Sequence, residues 1–219
     1  MDNIKIDDEL LIPAGRHTLS PDEVSERQRE RLLRAMVSCT SERGYADTTI
    51  ADVVRVARTS RSAFYEHFAD KEDCFVAAYE QMTAAFINAS LEAAAAVDGW
   101  QAKLDAGIRT YFAFMAEHHE VAISTVVEIH GAGRRALEAR SRALKKWMRT
   151  IEGLAVLARR EGVRLPDLDP VACAAIVLAA EAYVHDYARR GRVARVAERA
   201  PAVQALARAL FAHGVSVAQ

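Results

Sequence analysis

Residues 48–71 read TTIADVVRVARTSRSAFYEHFADK, and this stretch decides the fold. Thr49 and Asp52 have the spacing of a capping box, which begins a short helix, and Ser60 can cap a second one. Phe64 belongs to an aromatic cluster on that second helix. Two short helices joined by a tight turn form a helix-turn-helix, whose second helix lies in the major groove of DNA. The stretch therefore predicts a DNA-binding protein.

The composition around this stretch favours an all-α protein. About half of the 219 residues are apolar, and only five are prolines. Apolar residues recur at helical spacing almost to the end of the chain, which predicts about nine helices. The net charge of −1 does not argue for nucleic-acid binding, but phosphate contacts need only a local cationic patch.

The cysteines and the N-terminus indicate a cytoplasmic protein. Cys39, Cys74 and Cys173 are scattered and have no metal-ligand spacing, so we expect no metal, no cofactor and a reducing compartment. The N-terminus is acidic and lacks the apolar run of a signal peptide. No stretch of about 18 apolar residues is present, so we expect no membrane span.

Capping residues mark further helix boundaries. Ser20 precedes a proline and is followed three residues later by Glu23, which begins the first helix with a capping box. Gly44 is expected to end that helix in the left-handed conformation. Later in the chain, Asp169 is expected to cap a helix that begins at Pro170. The apolar stripe of this later helix is Val171, Ala175, Leu178 and Ala182.

Residues 45–79 resemble the DNA-binding domain of the TetR family of bacterial transcriptional regulators. The resemblance implies a homodimeric repressor that binds a palindromic operator in double-stranded DNA and releases it when a small-molecule effector enters the C-terminal domain. The positions that match the family pattern are Gly44, Tyr45, Thr49, Ile50, Asp52, Val53, Ala57, Ser60, Phe64, Tyr65, Phe68, Lys71 and Glu72.

The resemblance divides the chain into three parts. We assign residues 1–20 to an N-terminal arm, 21–70 to the helix-turn-helix domain and 71–219 to a ligand-binding and dimerisation domain. Arg16 and His17 lie just before the first helix, and basic arms of some DNA-binding folds enter the minor groove. The alternative is a disordered tail.

Arg58 departs from the family pattern, in which a glycine commonly occupies the turn of the helix-turn-helix. A residue other than glycine with positive φ costs about 1 kcal/mol. Either the turn has another shape or Arg58 accepts this strain. Its side chain can reach a phosphate or remain solvated.

The start of the second short helix supplies most of the candidate DNA contacts. Free N–H groups at a helix N-terminus suit phosphate, and hydroxyl groups can also reach base edges. Arg61 can contact guanine bidentately or position a phosphate. By resemblance, Tyr65 and Lys71 contact the DNA backbone. The predicted DNA-binding residues are Thr49, Arg58, Thr59, Ser60, Arg61, Ser62, Tyr65, His67 and Lys71.

The candidate effector residues follow from two patterns. Large residues on inner helix faces can line a cavity between helices or simply pack the core. Polar residues within apolar runs need a partner, which can be a side chain, water or a ligand. The predicted ligand-binding residues are Phe86, Phe112, Met115, Val127, Glu128, His130, Trp147, Glu181, Tyr183 and His185.

The C-terminal part also carries a small-residue region and a basic region. The last two helices are rich in alanine, and in the TetR family this pair packs against its twin in a homodimer. Residues 131–165 have a basic excess, which we interpret as the solvated face of a long helix. The alternatives are a second nucleic-acid site or an anionic effector such as an acyl thioester or an organic acid.

Two other functions are weighed against a regulator. A di-iron enzyme in a helical bundle needs two Glu-x-x-His motifs, but Glu128–His130 and Glu181–His185 have other spacings. No nucleophile elbow, P-loop or zinc motif is present, so we do not expect an enzyme. A helical ligand-binding or scaffolding protein without operator binding is the remaining alternative.

Overall fold

The computed structural model describes residues 20–163 and 170–213, and these residues form nine α-helices and no strand. The all-α prediction is confirmed. The predicted arm with Arg16 and His17, and the predicted cap Asp169, lie outside the described residues. The helices are α1 (Pro21–Asp47), α2 (Ile50–Val56), α3 (Arg61–His67), α4 (Lys71–Ala95), α5 (Trp100–Glu117), α6 (His119–Ala122), α7 (Arg134–Arg160), α8 (Pro170–Arg189) and α9 (Ala200–His213).

Two compact units divide these helices. Of the described residues, 20–81 and 123–139 form the first unit, and 82–122, 140–163 and 170–213 form the second. This division differs from the predicted boundary at residue 71, because the first unit includes the start of α4 and a separate segment of the chain at 123–139.

The first unit has its core on the inner face of α1. Leu33, Met36 and Val37 are buried there, as the helical spacing predicts, and Phe64 of α3 is fully buried. The segment 123–139 begins with a π-helical turn and continues with a 3-10 turn. Ser124 in this segment lies 2.8 Å from the hydroxyl oxygen of Thr40, so α1 and the segment share a buried polar contact.

Local capping fixes the boundaries of the first three helices. The side chains of Ser20, Thr49 and Ser60 each accept a backbone N–H three residues ahead, and the first two complete capping boxes. Gly44 has φ 83°, which ends the regular part of α1. All of these caps agree with the sequence predictions, because each depends only on residues within one helical turn.

Of the two alternatives that the sequence left open for this turn, the structure shows the one in which Arg58 accepts the strain. Its φ of 50° makes it the one described residue other than glycine in the left-handed region. The turn therefore keeps a shape that suits glycine, with an arginine in its place.

The second unit packs around aromatic residues. Phe86, Tyr111 and Trp147 contact one another at centroid distances of 4.4 to 5.4 Å, and Trp100 stacks on Phe211 at 5.0 Å. A 3-10 segment, Val193–Arg199, connects α8 to α9 and packs on α5.

Helix α8 has an inner face that differs from its predicted apolar stripe. Its buried positions include Cys173, Ile176 and Val177, whereas Val171 and Leu178 of the predicted stripe are exposed. Among the described helices, α8 alone is long and apolar enough to cross a membrane, with a mean hydropathy of 1.3. The helix packs on α5, α9 and the 3-10 segment, as the core helix of a folded domain does.

Candidate nucleic-acid interface and apolar cavity

Helix α3 presents a polar face to solvent. Arg61 and Ser62 are exposed, and the side chain of Tyr65 is 55% exposed, whereas Ala63 and Phe64 on the opposite face are buried. The helix begins where the Ser60 hydroxyl oxygen accepts the N–H of Ala63 at 3.0 Å. The exposed face thus combines a cation, hydroxyl groups and an exposed phenol, which suits contact with phosphates and base edges.

Helix α2 and the turn after it carry two further exposed cations. Arg58 is exposed in the turn, and Arg55, which the sequence analysis did not select, is 64% exposed in its side chain. The Thr49 side chain takes part in capping α2, because its hydroxyl donates to the Asp52 carboxylate at 2.6 Å. Hydrogen bonds from Thr49 hold the pKa of Asp52 below its usual value, and Asp52 also pairs with Arg43 at 3.0 Å.

Lys71 holds the chain between α1 and α2. Its ammonium donates to the carbonyl oxygens of Tyr45 at 2.8 Å and Thr48 at 2.9 Å, and lies 4.1 Å from the centre of the Tyr45 ring. Burial lowers the pKa of this ammonium. An ammonium has three N–H donors, so one remains for the predicted phosphate contact.

His67 and Thr59 are less accessible than the other predicted DNA contacts. Both are half-buried, and the His67 ring packs 6.1 Å from the Phe68 ring. The Nε2 atom of His67 is shielded and makes no hydrogen bond within the described part of the chain. Burial lowers the pKa of His67, so the imidazole is neutral at neutral pH. The geometry thus gives His67 a packing role within the first unit.

The segment 123–139 is tied to the rest of the first unit through contacts of three carboxylates. The Glu128 carboxylate accepts the N–H of Tyr45 at 2.6 Å and lies against Gly44, where an added Cβ would meet it at 3.3 Å. Arg135 pairs with Asp70 at 2.6 Å and with Glu72 at 3.1 Å. The predicted ligand residues Val127, Glu128 and His130 therefore belong to the first unit.

The second unit contains an apolar cavity of about 700 Å³, counting the open space at its mouth. The lining residues are Ile87, Ser90, Leu91, Ala94, Lys103, Leu104, Gly107, Ile108, Tyr111, Trp147, Thr150, Ile151, Leu154, Ile176, Val177, Ala180 and Val203.

The polar groups of the cavity wall are few and mostly engaged. Lys103 donates to two carbonyl oxygens at the end of α4, at 3.0 and 2.6 Å. The Thr150 hydroxyl donates to the carbonyl of Lys146 at 3.2 Å. The Ser90 hydroxyl is shielded from solvent and makes no hydrogen bond with the described residues. The cavity therefore suits a hydrocarbon ligand, with one hydroxyl left to meet a polar atom.

Of the predicted effector residues, Trp147 lines this cavity. Phe86 packs against the Trp147 ring, and Phe112 and Met115 are fully buried. Glu181 forms an ion pair with Arg140, and burial raises the pKa of this carboxyl. Tyr183 and His185 are half-buried and are not among the lining residues.

Most lining residues were not selected from the sequence. Aliphatic positions that line a cavity have the same helical spacing as positions that fill a core, so periodicity alone does not separate them. Small residues such as Ala94, Gly107 and Ala180 are among those that line the space.

Residues 32–78 match the family model described as bacterial regulatory proteins of the tetR family. The chain is 22% identical over 124 residues to the "Fatty acid metabolism regulator protein" of Bacillus subtilis. The aligned residues are 57% of this chain and 64% of that relative. The alignment thus spans less than two thirds of the relative's length.

Solved structures of regulators share the fold. The fatty acid degradation regulator FadR of Bacillus halodurans has a TM-score of 0.76 at 17% identity, covering 91% of this chain and 99% of that one. FadR of Bacillus subtilis, solved with stearoyl-CoA, has a TM-score of 0.73 at 18% identity, covering 85% and 98%. SmeT, the repressor of a Stenotrophomonas maltophilia efflux pump, has a TM-score of 0.69 at 20% identity, covering 86% and 93%.

Proposed function

Because the chain belongs to the TetR family of bacterial regulatory proteins, we propose that this DNA-binding transcriptional regulator is a homodimeric repressor released by a long-chain acyl thioester. It acts in the cytoplasm on a palindromic operator. We infer the effector class from the apolar cavity of the second unit, whose wall is almost entirely aliphatic and aromatic.

The chemistry of the cavity supports a fatty acyl chain. Burial of hydrocarbon contributes about 0.8 kcal/mol for each methylene, so an acyl chain of many carbons gains most of its affinity from such a wall. The name of the Bacillus subtilis relative and the stearoyl-CoA in one solved structure indicate the same ligand class.

Operator binding is assigned to the exposed face of α3 and the turn before it. Arg61 is positioned to reach a base or a phosphate, and Tyr65 and Arg58 are exposed on the same short region. A two-fold dimer presents two such helices to half-sites one turn of DNA apart, which matches a palindrome.

Operator binding is tested by fluorescence anisotropy with DNA selected from the region upstream of the gene. We expect a palindromic site to bind with a steep salt dependence, and Arg61→Ala to weaken binding by about tenfold or more. Absence of binding to every upstream palindrome at low salt would favour a helical ligand-binding protein without an operator.

The dimer interface is assigned to the exposed apolar residues of α8 and α9. Val171 and Leu178 are 59% and 48% exposed on α8, and Leu206 is 37% exposed on α9. Isolated large apolar side chains are common on surfaces, but two helices that pack together and both expose them provide a surface for a twin.

Sedimentation analysis tests this interface. We expect Leu178→Glu to give a monomer and Val156→Glu, at a similarly exposed apolar position on α7 (47%), to leave the dimer intact. If the Leu178→Glu protein remains dimeric, α8 is not part of the interface.

A further inference from the structure

Arg31 of α1 is a buried cation with no hydrogen-bond or ion-pair partner among the residues that the structure describes. The residue is 5% exposed, and its Nε atom is shielded from solvent. Glu30, the neighbouring carboxylate in the sequence, is paired with Arg34 at 2.9 Å. A guanidinium stays protonated at neutral pH, and a buried charge without a partner is costly. We therefore expect an anion to bind to this guanidinium.

Arg31 lies close to the turn of the helix-turn-helix. Helix α2 packs on α1, and burial and the nearby Asp52 at the start of α2 raise the pKa of the Cys39 thiol. Earlier in α1, burial and then the charge of Arg58 lower the pKa of the Arg31 guanidinium. Such effects require neighbouring groups. The later position of α1 is thus beside the start of α2, and the earlier position is beside the turn that follows α2.

Arg31 and Arg58 together form what we call the turn arginine pair. Arg58 is exposed and makes no ion pair within the described part of the chain. Only the Nε atom of Arg31 is fully shielded, so its two terminal nitrogen atoms keep some contact with solvent. Like charges repel, and the φ of 50° at Arg58 adds backbone strain. The pair is therefore unfavourable until an anion binds, and an anion can reach both residues.

The position of the turn in the motif indicates which anion binds. In a helix-turn-helix, the first helix crosses the DNA backbone, and the N-terminal residues of the second contact base edges in the major groove. Arg58 lies between these two helices, directly before the residues that begin α3. The turn is therefore next to the phosphates that border the groove.

We propose that the turn arginine pair binds one backbone phosphate of the operator, with Arg58 as its exposed ligand and Arg31 as its buried one. This inference rests on the proposed function and adds a residue of α1 to the DNA contacts. Arginine forms charge-assisted hydrogen bonds with phosphate, often with two N–H groups at once. A phosphate in this place supplies the anion that Arg31 lacks.

Replacement of single DNA phosphates by neutral methylphosphonates tests this contact. The DNA is a duplex that the full-length wild-type protein selects from a random-sequence pool, and anisotropy measures affinity. We expect one phosphate in each half-site whose replacement weakens the wild type by about tenfold or more, and weakens Arg31→Met and Arg58→Met by about threefold or less. Arg31→Met/Arg58→Met should bind the unmodified duplex more weakly than the wild type and show no response at that phosphate.

Two variants serve as controls. Arg61→Met removes a different proposed DNA contact, so it should keep the wild-type response at the shared phosphate. Arg160→Met/Arg192→Met removes the same charge at two exposed arginines that have no ion pair among the described residues, and it should match the wild type throughout.

Thermal melts without DNA provide a second readout. Arg31→Met removes an unpaired buried charge, so we expect it to melt at the wild-type temperature or about 2–4 °C above it. Arg31→Gln repeats the measurement with a neutral polar side chain.

Three results would overturn the inference. In the first, the double variant keeps the full response at every phosphate. In the second, Arg58→Met loses the response and Arg31→Met behaves as the wild type, so Arg31 does not reach the phosphate. In the third, Arg31→Met and Arg31→Gln both melt below the wild type, which would assign Arg31 a partner within the protein. Failure of the wild type to select any duplex would instead overturn the proposed function itself.

Discussion

Lys71 in the first unit and Lys103 in the second make the same contact in different surroundings. Each ammonium donates to two backbone carbonyls at the end of a helix, at 2.8 and 2.9 Å for Lys71 and at 3.0 and 2.6 Å for Lys103. Around Lys71, the carboxylate of Glu128 fixes the same chain segment again. Lys103 instead borders the cavity. Directional contacts thus accumulate beside the proposed operator-binding surface, whereas apolar walls dominate at the proposed effector site.

The largest expected effect concerns the partly buried ion pair of the second unit, formed by Arg140 and Glu181. Glu181→Leu leaves the guanidinium without its partner, so we expect a loss of about 3 kcal/mol in the free energy of unfolding. Arg140→Met/Glu181→Leu removes both charges and should recover most of that loss. Urea unfolding measures both variants. A single variant as stable as the wild type would show that solvent, not Glu181, balances Arg140.

The two lysines provide the next test. Lys71→Met and Lys103→Met each remove hydrogen bonds from a charged group, so we expect each to lower the free energy of unfolding by about 1.5–3 kcal/mol. Operator affinity without effector should fall for Lys71→Met and stay unchanged for Lys103→Met, because only Lys71 holds the turn that leads into α2. Equal losses of operator affinity would abolish the distinction between the two units.

A smaller effect is expected to separate the two arginines of the proposed DNA-binding face, Arg58 and Arg61. Arg61→Ala is expected to relax the base preference at one operator position, with a loss of about 1–3 kcal/mol in binding free energy. Arg58→Ala should weaken all sequences equally and reduce the slope of log affinity against log salt by about 1. Binding to an operator library at several salt concentrations measures both. A uniform loss for Arg61→Ala would make it a phosphate contact.

The smallest effect concerns a glycine at the cavity wall. A Cβ at Gly107 would lie 3.8 Å from the Ser90 carbonyl, which is an ordinary contact. Gly107→Ala should therefore gain about 0.5–1 kcal/mol in stability from helix propensity and narrow the cavity, so stearoyl-CoA binds more weakly. Gly153→Ala on α7 is the control, since nothing lies within 4 Å of its Cβ. Unchanged ligand affinity in Gly107→Ala would place the acyl chain elsewhere.

The contrast between the units also explains which features could be predicted from the sequence. The caps at Ser20, Thr49 and Ser60 each involve residues within one turn of each other, so the local pattern was sufficient to predict them. For Arg58 the resemblance left two turn shapes open, and its φ of 50° decides between them. Glu128 was expected to need a partner, but that partner is the backbone amide of Tyr45, 83 residues earlier. Such a partner is defined only by tertiary packing.

The cavity illustrates the same limit for apolar residues. Trp147 was selected from the sequence because it is large and lies on an inner face. Ala94 and Gly107 were not selected, although they line the same cavity as Trp147. Empty volume depends on how several helices pack together, and no single helix carries a pattern for it.

The central claim is that ligand in the cavity lowers operator affinity, and one measurement tests it directly. Operator affinity of the wild-type protein is determined by anisotropy with and without saturating stearoyl-CoA, whose binding is followed in the same sample by calorimetry. The account predicts a loss of operator affinity of about 5- to 150-fold, the usual range of coupling between two sites. Unchanged operator affinity with stearoyl-CoA bound would contradict it.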